Sequence, residues 1–292
     1  MRGAAHEQAD RKPADAWQRS GPASNRDRCC RLARGGWFNG VLLLALGTSV
    51  SLMLLLVAAQ VGYTGAEAPF AVLGQWDVLR AIRLSFVTSF VAAGLAMLLA
   101  VPTGYALARW EFRGRGLIEC FLVIPTIMSP MALGVSLLLV FRTAAGRFVE
   151  DHLMRFVFEV PGMILAQFLI AFALEVLVVR ATFSAQDPRL EHVARLLGCT
   201  PWKAFWRVSL PLGRNGVLAA FVLGWARAIG DFGATSTIAG AVKGKTETMP
   251  ISIYLSLATV SLDRAVALSL LLTFVSLVGY LAVHTVLRPR SK

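Results

Sequence analysis

The chain has 292 residues, 56% hydrophobic and only 16% charged, with a mean hydropathy of +0.63. That composition excludes an ordinary soluble domain and points to a membrane protein. The net charge of +12, from 29 Lys+Arg against 17 Asp+Glu, does not call for nucleic acid, which is not expected as a partner, because cytoplasmic membrane loops collect the same basic excess.

Residues 1–36 are charged and rich in Gly, Pro, Ser and Ala, the composition of a disordered basic cytoplasmic tail. The 24-residue apolar run at 37–60 is too long for the core of a cleaved signal and suits a first span. Further runs at 84–107, 117–141, 161–179, 216–239 and 265–287 predict five more. The fourth carries Gln167 and Glu175. The expected fold is therefore all-α: a six-span helical bundle over 37–287, with a polar loop at 180–215 and a short cytoplasmic tail at 288–292. With the N-terminus inside, the inner segments hold 20 basic residues and the outer ones 8, with Arg227 inside a span. Both termini are then cytoplasmic. All four cysteines, Cys29, Cys30, Cys120 and Cys199, fall on the inner side or within a span, where disulfides are not expected. No His/Cys cluster surrounds the first two, so no metal site is expected.

The loop at 180–215 interrupts this apolar chain with ordered-looking sequence. In "DPRLEHVARLLG", Asp187 is an N-cap candidate and Pro188 the first helical residue. Leu190, Val193, Ala194 and Leu197 share one face. Glu191 and Arg195 are spaced to pair, and Gly198 suits a left-handed helix end. A second start follows with Thr200 and Pro201. Trp202, Phe205 and Trp206 form its apolar stripe, Lys203 and Arg207 its polar side, and Pro211 closes the segment. Two readings remain open from periodicity: helices lying on the bilayer, or a first helix that docks its Leu/Val face into a soluble partner.

"EHVARLLGCTPWKAFWRVSLP" resembles the cytoplasmic signature loop of ABC importer permeases, an E-A-A triplet followed by Gly and then Ile-x-Leu-Pro. His192, Val193 and Ala194 hold the triplet positions, then Gly198, then Val208, Ser209, Leu210 and Pro211. His192 stands in the usual Glu position, with Glu191 matching a second acidic residue of many members. The resemblance implies a coupling helix seated in a separate ATPase subunit, with contacts from Leu190, Glu191, His192, Val193, Ala194, Leu197, Gly198, Leu210 and Pro211. ATP and Mg would bind that partner, in two copies, and no cofactor this chain.

"AGAVKGKTET" at 239–248 carries Gly-Lys-Thr like a phosphate-binding loop, but Ala239 stands where the first glycine belongs and a span, not a strand, precedes it. A loop meeting an external partner is the expected role. In the fifth span, Arg227 and Asp231 lie four apart, and charges at membrane depth must pair or face a hydrated cavity. Thr235, Ser236 and Thr237 set hydroxyls just beyond them. "WARAIGDFGAT" followed by "KGKTETMPISIYLSL" resembles the molybdate, tungstate and sulfate branch of importer permeases, as do "PTGYALARWEFRGRGL" and "IPTIMSPMALGVSLL". The resemblance implies a homodimeric permease, an external substrate-binding protein, and a translocation path for a tetrahedral oxyanion past Arg227, Asp231, Thr235, Ser236 and Thr237. Sulfate or thiosulfate is the alternative cargo. A self-contained transporter or channel calls for midplane charges in several spans. A membrane enzyme calls for a residue cluster that four scattered histidines do not supply.

Overall fold

The computed structural model describes residues 36–64 and 72–287, with side chains over 39–63 and 72–281. The expected tails, with Cys29 and Cys30, lie outside the described residues apart from Gly36. The chain divides into two units, Met1–Ala59 and Gln60–Lys292. The first holds most of α1 (Gly36–Thr64), a helix apolar on every side and long enough to cross a membrane.

Within the second unit, every regular element among the described residues is helical. These are α2 (Trp76–Arg109), α3 (Arg115–Ile127), α4 (Pro130–Arg142), α5 (Ala144–His152), α6 (Val160–Ser184), α7 (Arg189–Leu196), α8 (Pro201–Ala204), α9 (Leu210–Ile229), α10 (Gly233–Ala239), α11 (Met249–Ala258) and α12 (Leu262–Leu287). With α1, five helices among the described residues are long and apolar enough to span, and a sixth crossing is present if the bent pair α3–α4 counts as one. The all-α, six-span expectation holds at that level, but three spans differ from their expected outlines.

The second span starts at Trp76, eight residues before the apolar run, because the helix carries a polar first turn that hydropathy does not reward. The third is two helices bent by 110° at Met128–Ser129. Pro130, at the start of α4, has no N–H to continue the ladder of α3 and is well placed to begin a new helix. The fifth is not a single span at 216–239. It begins in the polar loop, runs unbroken over Pro201–Ile229, and stops at Gly230, after which α10 turns off as a separate short helix.

The core forms where small residues let α2, α6 and α9 approach closely. The buried stripe of α2 is Ser85, Thr88, Ser89, Ala92, Ala93, Ala96, Ala100, Gly104 and Leu107. A Cβ on Gly104 would lie 2.7 Å from Val179 Cγ1 of α6, so a side chain there would force the helices apart. Across the bundle, Trp225 of α9 donates its ring N–H to Ser89 Oγ at 3.1 Å, which satisfies a polar group the membrane interior cannot. Near its start, α2 packs Val78 and Ala81 against Met249, Leu268 and Leu271 of α11 and α12. Ser85 Oγ there accepts the Met249 N–H at 2.7 Å.

Candidate functional site: the latched loop helix and the paired helix breaks

The loop helix forms one residue later than expected, at Arg189 with Pro188 in the cap position. Asp187 Oδ1 accepts the Arg189 N–H at 2.9 Å. At the other end Gly198 has φ +90°, and two reverse bonds close the helix, Gly198 N–H to Arg195 O at 3.0 Å and Cys199 N–H to Ala194 O at 3.1 Å. Thr200 Oγ1 then accepts the Lys203 N–H at 3.3 Å to start the next helix. Pro211 does not close that helix as expected. The chain makes a π-helical stretch over Phe205–Ser209, and α9 follows without a stop. The wider turn accommodates a proline that cannot donate a hydrogen bond and whose ring crowds the preceding carbonyls.

Glu191 does not pair with Arg195. Its Oε2 accepts Tyr105 OH at 2.9 Å, while Oε1 accepts Arg109 Nε at 2.8 Å and Ser209 Oγ at 2.8 Å, with Arg109 Nη2 also 2.7 Å away. Arg109 Nη1 donates to the Gln186 carbonyl at 3.2 Å, and Gln186 Nε2 to the Ser209 carbonyl at 3.2 Å. One carboxylate thus ties α7 to the end of α2 and to the π turn leading into α9. Tyr105, Arg109 and Gln186 were not singled out from sequence, and Ser209 was named only as a position of the signature loop. The only local signal was the spacing of Tyr105 and Arg109, which share a face at the end of a span.

Burial pushes the Glu191 carboxyl up, but the hydrogen bonds from Ser209, Tyr105 and Arg109 and the Arg109 charge together outweigh it and hold the group below its ordinary value. A depressed folded-state value stabilises the fold at pH above the unfolded carboxylate range, and that contribution is lost as pH falls through the folded value. The purified chain should therefore lose thermal stability as pH drops below about 4.5. Glu191→Gln, which has no charge to lose at this site, should show a shallower fall in a melting-versus-pH series; identical slopes would remove the latch from the acid response.

The other loop residues divide by direction. Leu196 and Leu197 are 87% and 81% exposed, and Leu190 and Val193 continue the same outward apolar face. Ala194 is half-buried beneath it. His192 is exposed, with Nδ1 2.9 Å from the Pro188 carbonyl. Leu210 instead turns inward to the cluster of Val179, Phe183, Phe205 and Ala220, and Pro211 sits in the first turn of α9. Trp202 and Trp206 are exposed while Phe205 is buried, so the expected aromatic stripe splits between the surface and the core.

The second constellation lies where α9 ends. Arg227 Nη1 is 3.9 Å from Asp231 Oδ1, with the Asp231 side chain 1% exposed and that of Arg227 42%. Asp231 Oδ2 accepts the Thr235 N–H at 3.0 Å, so this carboxylate caps α10 as well as facing the arginine. The Thr235 hydroxyl is fully buried and donates to the Asp231 carbonyl at 3.0 Å. Ser236 and Thr237 bond the Gly233 carbonyl at 3.2 and 2.7 Å. This break meets the break between α3 and α4. A Cβ on Gly233 would lie 2.8 Å from Pro130 Cβ, and one on Gly134 would lie 2.6 Å from Thr237 Cβ.

The loop at 240–248 is bonded to itself and to the bundle. Thr246 Oγ1 accepts the Val242 N–H at 3.2 Å and donates to the Gly240 carbonyl at 3.1 Å. Glu247 accepts the Gly244 N–H at 3.3 Å, and Lys245 pairs with Glu159. Its hydroxyl and lysine are thus committed to protein partners rather than arranged as a phosphate cradle.

Residues 96–292, which include both constellations, match the binding-protein-dependent transport system inner membrane component family. The chain belongs to this family. It is a multi-pass inner-membrane permease component of ABC importers. A probable molybdenum ABC transporter permease of Haloferax volcanii is 35% identical over 260 residues, covering 87% of this chain and 92% of its own. The sulfate transport system permease protein CysW of Escherichia coli is 30% identical over 253 residues, covering 83% and 86%. Among solved structures, a bacterial ABC transporter involved in alginate import superposes with a TM-score of 0.66 at 18% identity, covering 91% of this chain and 100% of that one. That likeness is one of fold.

Proposed function

We propose that this permease component carries a tetrahedral oxyanion, molybdate or tungstate in the first place, delivered by an external binding protein and driven by a separate ATPase. The carrying observation is the meeting of two broken helices beside Arg227, at Gly233 and Pro130. Helix breaks free backbone groups at membrane depth, and such irregular backbone persists where protein or a hydrated path surrounds it. A half-exposed guanidinium beside that break offers the donors a dianion needs. Asp231 and Thr235 hold α10 in place, while Ser236 and Thr237 lie nearer its surface. Sulfate is the second reading, favoured by the relative named for sulfate transport.

On this reading the termini are cytoplasmic, two copies of the chain share one path at a two-fold axis, and two ATPase subunits, which hold ATP and Mg, dock beneath. This chain needs no cofactor and performs no catalysis. The exposed Leu196 and Leu197 face of α7 is the docking surface, and the Glu191 latch passes its displacement to α2 and α9 as one body. Arg227→Ala and Thr235→Val are expected to lower molybdate uptake into vesicles by about tenfold or more, equivalent to about 1.4 kcal/mol. Unchanged uptake in both variants would remove this constellation from the path.

A further inference from the structure

The far end of α2 from the latch carries a second feature. A cavity of about 710 Å³ opens there, with Asp77, Arg80, Arg83 and Val87 on the α2 wall and Gly244 and Lys245 opposite. Val78 and Ala81 are buried against α11 and α12, so Arg80 and Arg83 are held on the outward stripe of the same helix. Two charges around the cavity are already matched: Asp77 faces Lys243 at 3.5 Å, and Lys245 pairs with Glu159. Arg80 spends one N–H on the Gly244 carbonyl at 3.2 Å. Among the described residues neither Arg80 nor Arg83 forms an ion pair.

We propose that this cavity is an entry site where a tetrahedral dianion is captured between Arg80 and Arg83 before it reaches the membrane path. The two guanidiniums sit three residues apart, which brings them to one face of the helix. The two guanidiniums, neither in an ion pair among the described residues, match a dianion in charge. Their planar donor forks suit oxyanions better than a lysine's point charge does. Leu84 and Val87 add apolar lining on the α2 side, and low-dielectric walls strengthen the field of the charges beside them. Along α2 the site lies 29 residues from Arg109, roughly 44 Å at the helical rise, so on the topology proposed above it opens on the side from which cargo arrives.

The proposal rests on the oxyanion reading, and its test separates the two. The ATPase-bound permease in neutral-lipid nanodiscs, without binding protein, is assayed at low salt for retention of radiolabelled molybdate. Retention is expected with the wild type, a loss of at least about tenfold, equivalent to about 1.4 kcal/mol, in Arg80→Gln/Arg83→Gln, and partial recovery in Arg80→Lys/Arg83→Lys. Arg147→Gln/Arg155→Gln, which removes the same two unit charges at exposed positions that do not line the cavity, should match the wild type. No retention by the wild type, or equal retention by the double glutamine variant, overturns the entry site. So does a double variant that binds molybdate normally but fails to engage the binding protein, since the arginines would then be a protein-docking patch. If wild-type vesicles supplied with the binding protein take up no oxyanion at all, it is the functional reading that fails; if they do, and the double variant keeps the wild-type KM, only the entry site fails.

Discussion

Glu191→Ala is expected to produce the largest loss of both stability and coupling. The substitution leaves the Arg109 guanidinium, whose side chain is 10% exposed, without its carboxylate, and leaves Tyr105 OH and Ser209 Oγ without their acceptor. Leaving donors of this part-buried network without their acceptor costs about 1–3 kcal/mol. Because the same carboxylate joins α7 to α2 and to the π turn, its loss also lets the loop helix move without moving the spans. Transport per ATP hydrolysed should therefore fall more than ATPase binding does. Glu191→Gln keeps two polar atoms for the network and should be intermediate. His192→Ala should have little effect, since its ring reaches only the Pro188 carbonyl from an exposed position. The measurement is the melting temperature together with the ratio of uptake to ATP consumed. Equal effects at 191 and 192 would contradict the latch.

Gly233→Val should be the most damaging change in the membrane region. The added Cβ would lie 2.8 Å from Pro130 Cβ and 3.0 Å from the Met131 backbone nitrogen, and a backbone atom in a helix cannot rotate aside. Overpacking of this kind costs about 1–3 kcal/mol, and here relief means parting the two broken helices. Uptake should collapse while the ATPase remains bound, because α7 lies at the distant loop. Gly94→Ala serves as the control: nothing lies within 4 Å of its added Cβ, and alanine is the better helix former. Uptake by Gly233→Val at the Gly94→Ala level would show that the junction of the two breaks is not needed for transport.

The parts of this fold that were legible in the sequence are those decided within a few residues. Gly198, Thr200 and Pro201 each specify a helix boundary through their own backbone or side chain, and each sits in the expected role, whereas the helix after Asp187 starts one residue later than expected, at Arg189. The long apolar runs likewise announce spans, because membrane thickness sets their length. What was not legible depends on partners far along the chain. Glu191 looked paired to Arg195 because helical spacing is visible in sequence. Its actual partners Tyr105 and Arg109 lie 86 and 82 residues away. The two breaks were hidden for a different reason. Hydropathy averages over a window, so the apolar residues around Met128–Ser129 and Gly230–Phe232 read as continuous spans although proline and glycine interrupt the helices there. Pro211 misled in the opposite direction: it reads as a stop, yet a π turn carries the helix past it.

The proposed docking of α7 on a separate ATPase can be read out by co-purification. A tagged wild-type chain, expressed with the cognate ATPase and extracted in mild detergent, should retain that subunit. Leu196→Asp/Leu197→Asp, which places two charges on the exposed face without touching the Glu191 latch, should lose it while keeping the wild-type melting temperature. An ATPase that never co-purifies with the wild type, or is held equally by the double variant, would show that α7 is not the docking contact.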